Sequence, residues 1–399
     1  MLQQKMRTYD VPQRLKKSGI YPFFRTINSE QDTVVRIGGK DVLMFGSNSY
    51  LGLTNHPILK EASQRAIRHY GSGCAGSRFL NGTLDLHVEL EAKLADFVGK
   101  EEALVFSTGY QANVGVIASI PGRHDLLILD ERDHASIIDG ARLSLGRVLK
   151  YRHNDMTALE KILRHAPMDS IKLIVVDGVF SMEGDIVKLP EIVALAKKYQ
   201  ANIMVDDAHG LGVLGSQGLG TAMHFGLTHE VDVIMGTFSK SLASIGGFVA
   251  SDRATINYLK HNARSLMFSA SIAPANAASA LAALDIIKQE PERVQRLWDN
   301  TYYAMEGLRD AGFEIGSTGS PIIPIYIHDN AKTFQLTKTL LQHGIFVNPA
   351  VSPAVPNDSA LIRFSLMATH TFAQIDQALE KITYAARSLG ILHKAVPVL

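Results

Sequence analysis

Four kinds of chemically capable residue recur in this chain at the ends of apolar runs. A lone lysine, Lys240, sits among serines, a threonine and glycines in "GTFSKSLASIGG", directly after "VDVIM". Two adjacent carboxylates and a histidine, Asp206, Asp207 and His209, follow "NIMV". Hydroxyls and a glycine, Ser107 to Tyr110, follow "ALVF"; Asp130 to His134 follow "LLIL"; Ser181 follows "VVDGVF". A solvated lysine in a surface turn is the ordinary reading of any one loop lysine. Five such ends together are not ordinary, because a purely structural sheet closes with turn residues and helix caps.

The elements that must position these residues are short and strongly apolar. "ALVFSTG", "DLLILDE", "IKLIVVDGVF", "NIMVDDAH", "VDVIMGT" and "GGFVAS" read as strands covered on both faces, and "ALEKILRHA" and "LPEIVALAKKYQ" between them have helical periods. The alternation predicts an α/β fold with a mostly parallel central sheet flanked by helices. In such sheets ligands gather beyond the carboxyl ends of the strands, where the residues above fall. The expected organisation is an N-terminal arm over 1–45, a large α/β domain over 46–290 and a smaller C-terminal α+β domain over 291–399. The arm holds a polar helix and a hairpin, "TVVRIGGKDVLMF"; the last domain holds the helical "PERVQRLWDNTYYAMEGLRDAGF" and "TFQLTKTLLQHGI" and the strands "PIIPIYI" and "ALIRFSL".

A desolvated lysine near neutral pH is a nucleophile whose standard use is a Schiff base with an aldehyde. Pyridoxal 5'-phosphate supplies that aldehyde and needs an acid to keep its pyridine nitrogen protonated, together with donors at a helix start for its phosphate. Asp206 or Asp207 suits the first need. "STGYQANVGV" suits the second, and Thr237 adds a hydroxyl three residues before the lysine. The competing reading of "VDDAH" is a metal site, for which His134 with Asp139 offers only loose further ligands, so no metal is expected. Two G-x-G-x-x-G matches, "GSGCAG" and "GLGVLG", do not make a dinucleotide site: the first follows a helical pattern and the second precedes a poor helix. A Walker A loop fails because Ser239 precedes the lysine and Ile234 stands where its first glycine belongs.

The series "NSYLGL", "STGYQAN", "DERDHASIIDG", "FSMEGD", "VDDAHGLGVLG", "GTFSKSLASIGGF" and "LIRFSLMATHT" spans nearly the whole chain and resembles the α-oxoamine synthases. These are pyridoxal-phosphate enzymes of fold type I that condense an amino acid with an acyl-CoA and release CO2. "GSGCAGSRFLNGTLDLHVELE", "NARSLMFSAS" and "NPAVSPAVP" resemble most closely the bacterial serine palmitoyltransferase branch. The resemblance implies condensation of L-serine with a long-chain acyl-CoA by a homodimer with active sites at its interface. It implies Lys240 as the Schiff-base lysine and later the base and acid at Cα, Asp206 as the partner of the pyridine nitrogen, and His209 as the donor to the ring's phenolic oxygen. His134 would stack on the ring and help hold the substrate carboxylate. Gly109 and Tyr110 would form the phosphate loop, with Ser181 and Thr237 near ring and phosphate and Ser269 and Ser271 serving the partner's phosphate. Asn48 and Arg363 would lie near the substrate, the arginine in reach of its carboxylate.

Bulk properties are compatible with this and exclude other classes. Lys+Arg (40) nearly cancels Asp+Glu (39), so no nucleic-acid partner is expected. The one cysteine, Cys74, cannot form an internal disulfide, and "MLQQKMRTYDVPQRLKKSG" lacks the apolar core of a signal peptide; a cytoplasmic protein is expected, with peripheral membrane contact left open. The alternatives are another synthase of the family, such as glycine C-acetyltransferase or 8-amino-7-oxononanoate synthase, a fold type I aminotransferase, and a non-catalytic nucleotide- or metal-binding α/β protein.

Overall fold

The computed structural model describes residues 1–392. The chain divides into two compact units, one formed by Asn48–Leu297 and the other by Met1–Ser47 together with the residues from Trp298 onward.

The larger unit is built on a seven-stranded sheet: β1 (Glu102–Phe106), β2 (Leu126–Asp130), β3 (Arg147–Tyr151), β4 (Lys172–Asp177), β5 (Asn202–Asp206), β6 (Val233–Thr237) and β7 (Gly247–Ser251). Their spatial order is β1-β7-β6-β5-β4-β2-β3. β7 runs antiparallel to both its neighbours, and the other pairings are parallel. The six apolar runs read as strands are all strands. β3 is the addition: at the sheet edge only Tyr151 of "RVLKY" is buried, so the run carries charge and gives no apolar signal.

β2, β4, β6 and β7 are buried along their whole length, as strands covered on both faces must be. One face packs Leu104, Leu127, Leu129, Val175 and Met204 against Val116 and Ile117 of the helix Gly109–Ser119. Each such side chain contributes roughly 1.5–3 kcal/mol at most relative to exposure. The helix Met156–Arg164 buries Leu159 and Leu163 on one stripe, and Asp155 caps it by accepting from Ala158 N–H at 2.9 Å.

In the smaller unit the expected hairpin forms from Val34–Ile37 and Lys40–Met44, turning at Gly38 and Gly39 with φ of +57° and +79°. Residues 1–47 share a unit with the C-terminal residues, and Leu43 and Met44 pair in parallel with Ile345 and Phe346. A second sheet joins Ile322–Tyr326, Leu361–Ser365 and Asn348–Ala350. The expected polar N-terminal helix is two short ones, Leu2–Arg7 and Val11–Lys17, with no buried residue. Among the described residues no helix is long and apolar enough to cross a membrane.

Candidate active site

Six parallel strands bring their carboxyl ends to one edge of the large sheet, and β7 begins at that edge. The approach is close: a Cβ on Gly247 would stand 2.5 Å from Gly109 Cα and 2.6 Å from Gly109 N. Only glycine allows β7 to start against the turn after β1. There Thr108 caps the helix Gly109–Ser119, its hydroxyl accepting from Gln111 N–H at 3.1 Å. The helix start and the strand ends enclose a cavity of about 330 Å³.

Most of the residues singled out from sequence meet in that cavity. Gly109 and Tyr110, His134, Ser181, Asp206 and His209, and Thr237 and Lys240 all line it, each from a different connection at the sheet edge. Ser269 and Ser271 are not among its lining residues. Ser269 Oγ accepts from Gln111 Nε2–H at 3.0 Å, and Ser271 Oγ is buried without a hydrogen-bond partner among the described residues. Asn48 is also not part of the lining. Arg363 belongs to the smaller unit, where it is buried in the strand Leu361–Ser365 and donates to Ser365 Oγ at 2.9 Å.

The two adjacent aspartates separate cleanly. Asp206 faces the cavity and accepts from Asn113 Nδ2–H at 2.6 Å and from Ala208 N–H at 3.0 Å. Asp207 accepts instead from Thr221 N–H at 2.8 Å and Thr221 Oγ1–H at 2.5 Å. Burial raises the Asp207 carboxyl to about 7, against the opposing pull of the Thr221 bonds. Asp139, the loose metal candidate, accepts from the Tyr110 hydroxyl at 2.5 Å and from Arg142 at 2.7 Å.

His134 follows β2 and caps the helix Ala135–Leu143. Its backbone N–H donates to Asp177 Oδ2 at 2.9 Å, and its Nδ1 lies 2.7 Å from Ser136 Oγ. Burial lowers its pKa; Asp206 opposes that and Lys240 reinforces it. His209 Nδ1 is hydrogen-bonded to the hydroxyl of fully buried Tyr50 at 2.7 Å. The Thr237 hydroxyl lies 3.0 Å from Ser239 Oγ and bonds Gly246 O at 3.2 Å.

Three polar lining residues were not visible as site residues in the sequence: Asn113, Ser136 and Asp177. Asn113 lies one helical turn beyond Gly109 on the same buried face, a spacing that could have marked it. Asp177 closes β4 at a strand end like the others, but "VVDGVF" hides it inside an apolar run. Burial and the nearby Asp206 push its carboxyl well above the ordinary range, with Lys240 opposing.

This donor set fits pyridoxal phosphate. It joins an amine, a buried carboxylate held by two donors, a histidine pair and a capped helix start, in a cavity within the usual size for small-molecule sites of about 300–1,000 Å³. The cradle is shaped by absent side chains: a Cβ on Gly109 would stand 2.8 Å from Thr237 Oγ1.

Comparison with known proteins agrees with the geometry. The family model described as aminotransferase class I and II matches residues 40–382. The chain is similar to the serine palmitoyltransferase of Sphingobacterium spiritivorum, at 61% identity covering 96% of each chain. It is similar, less closely, to the 8-amino-7-oxononanoate synthase of Petrotoga mobilis, at 45% identity covering 95% of this chain and 97% of the other. Among solved structures it is similar to one of "SPT with PLP internal aldimine", with a TM-score of 0.95 and 37% identity, covering 98% of this chain and 100% of that one. With fold, cavity and full-length similarity in agreement, the chain belongs to the class I and II aminotransferase family, in its α-oxoamine synthase branch.

Proposed function

We propose that this chain is a serine palmitoyltransferase, joining L-serine to palmitoyl-CoA with loss of CoA and CO2 to give 3-oxosphinganine. The observation that carries the reading is the meeting of Lys240 and the donor-held Asp206 in one cavity at the sheet edge. The greater similarity to a serine palmitoyltransferase than to an 8-amino-7-oxononanoate synthase supports serine as the amino acid.

Pyridoxal phosphate, when bound, supplies an aldehyde for an amine and an electron sink for the bonds at the amino acid's Cα. Lys240 is the amine that would hold that aldehyde, and as a free amine it would remove and later return a proton at the Cα of serine. Asp206, kept in place by Asn113 and the Ala208 N–H, holds a proton at the pyridine nitrogen. Gly109 and Tyr110 at the helix start and the Thr237 hydroxyl hold the phosphate, with Ser181 beside the ring. His209, oriented by Tyr50, donates to the phenolic oxygen. His134, which lines the cavity, would hold the face of the cofactor ring, orient the serine carboxylate and discourage transfer of the amino group. Asn48 and Arg363 are assigned to the substrate by resemblance alone, the arginine to its carboxylate.

The working form we propose is a cytoplasmic homodimer with its active sites at the interface, where Ser269 and Ser271 of one protomer serve the phosphate held by the other. Peripheral contact with the inner face of the cell membrane would bring the enzyme to its lipid thioester. The test is an assay of purified holoenzyme with palmitoyl-CoA and a panel of amino acids, following CoA and CO2 together. Release of both with serine, and little with glycine or alanine, is expected. Release with glycine or alanine instead assigns another synthase of the branch, and amino transfer to a 2-oxo acid without CoA release overturns the reading.

A further inference from the structure

Asn113 links two groups that the sequence keeps far apart. It is fully buried on the helix Gly109–Ser119, and its side-chain nitrogen reaches Asp206 Oδ2 at 2.6 Å and Ser136 Oγ at 2.8 Å. Ser136, also buried, lies 2.7 Å from His134 Nδ1.

The directions of these bonds follow from the donor inventory. Asp206 as a carboxylate only accepts, so the atom of Asn113 facing it is the amide nitrogen, and that nitrogen has two hydrogens to give. One goes to Asp206 and the other to Ser136 Oγ. The Ser136 oxygen is thereby an acceptor toward Asn113, and its single hydrogen is left for His134 Nδ1. The helix cap imposes the same polarity, because Ser136 N–H donates to His134 Nδ1 at 3.3 Å. Nδ1 is therefore bare, and the proton of the neutral ring sits on Nε2.

We propose that Asn113 and Ser136 are positioning residues that fix His134 as the neutral Nε2–H tautomer. The direction of the whole chain is set by the carboxylate of Asp206. A ring locked in this way presents a donor to a substrate carboxylate and keeps its basic nitrogen occupied, so it cannot compete with Lys240 for a proton at Cα. The charged groups acting on the ring are Asp206 and Lys240 from neighbouring strand ends, while Asp177 takes its backbone N–H. The consequence for serine rests on the function proposed above; the tautomer does not.

The experiment is side-chain nitrogen NMR of full-length holoenzyme labelled at histidine, without substrate and near neutral pH. The His134 signals are assigned by their loss in His134→Asn. The expected result is an unprotonated Nδ1 and a protonated Nε2 in the wild type. In Ser136→Ala the two tautomers should mix, and in Ser136→Thr, which keeps the hydroxyl, the wild-type pattern should return. Steady-state kinetics should show the KM for serine raised about tenfold in Ser136→Ala, the loss expected for one orienting hydrogen bond, with the KM for acyl-CoA unchanged. A protonated Nδ1 in the wild type overturns the proposal, as does a folded, cofactor-loaded Ser136→Ala with an unchanged tautomer. A correct tautomer in an enzyme that does not use serine overturns only the functional reading.

Discussion

Asp206 and Asp207 are consecutive residues whose carboxylates point to different tasks. Asn113 donates to Asp206 Oδ2 at 2.6 Å from the wall of the cavity, whereas Thr221 encloses Asp207 with bonds of 2.8 and 2.5 Å. Glycines make the second enclosure feasible, since a Cβ on Gly210 or Gly220 would stand 1.9 or 2.1 Å from an Asp207 oxygen. The first carboxylate is available for chemistry, and the second fastens the turn that follows β5.

Replacement with asparagine should therefore separate the pair. Asp206→Asn should lower kcat by at least about 100-fold, the scale of a lost proton-holding group, with little change in melting temperature. Asp207→Asn should keep kcat within a few-fold and change the pH dependence of stability. The Asp207 carboxyl titrates at about 7 folded against 3.8 unfolded, so the native state binds its proton more tightly. Stability should fall as pH rises between those values. The neutral amide introduced by Asp207→Asn escapes that penalty, so melting curves of the variant should gain on the wild type from pH 3.8 to about 7. Parallel curves over this range would contradict the assignment.

Much of this architecture can be read from the chain because the large sheet is buried on both faces. "LLILD" and "KLIVVD" can only be apolar where helices cover them, so they announce themselves. "RVLKY" lies at the edge with one buried residue and does not. Lys240 and His134 are legible because each stands at the end of such a run. The choice between Asp206 and Asp207 is legible only through the family resemblance and not from the local residues, because the partners that separate them, Asn113 and Thr221, lie 93 and 14 residues away. The local signature of Asn113 is only its spacing one turn beyond Gly109: an asparagine inside a helix declares a purpose once the fold brings Asp206 and Ser136 to it.

His153 should give the enzyme a second pH limit, of the same sign as that of Asp207 but at higher pH. Its Nδ1 lies 3.1 Å from Asp130 Oδ1 and its Nε2 2.6 Å from Asp185 Oδ2, so both ring nitrogens face carboxylates. Burial works against the charged ring, but the hydrogen bonds to Asp130 and Asp185 outweigh it and raise its pKa to about 9. The folded value lies above the unfolded 6.5, so this contribution is complete below 6.5 and is lost as pH rises through 9. His153→Gln should cost about 2 kcal/mol in the acid limit, the range for hydrogen bonds to charged groups. It should also flatten the decline on the alkaline side, as read by urea unfolding at several pH values. A decline as steep in the variant as in the wild type would place the titrating group elsewhere.

Gly247 should be irreplaceable for reasons of space alone. An added methyl would meet the backbone of Gly109 at 2.5 and 2.6 Å, and neither partner is a flexible side chain that could swing away. Gly247→Ala should lose roughly 1–3 kcal/mol by overpacking. Because the displaced turn is the helix start that lines the cavity, affinity for pyridoxal phosphate should fall as well. Titration of apoenzyme with the cofactor, followed by its visible absorbance, reads this directly. Wild-type affinity in a folded variant would show that the turn after β1 takes no part in holding the phosphate.

Ser271 offers a way to test the dimer without a structure of it. Its hydroxyl is buried and has no hydrogen-bond partner among the described residues, although such a group ordinarily costs about 1–3 kcal/mol unless something satisfies it. If a neighbouring protomer's phosphate is that partner, Ser271→Ala should leave the melting temperature of apoenzyme unchanged or slightly higher. It should weaken cofactor binding, about tenfold when Ser269→Ala is added, since two donors to a charged group are then lost. Subunit mixing distinguishes partner from self. A Lys240→Ala protomer retains both serines, and a doubly substituted Ser269→Ala, Ser271→Ala protomer retains Lys240. If the serines act across the interface, a mixed dimer contains one complete site, and mixing the two inactive or weakened proteins at limiting cofactor should restore activity. If they act within their own chain, each mixed dimer has one site without the lysine and one without the serines, and no activity should be gained.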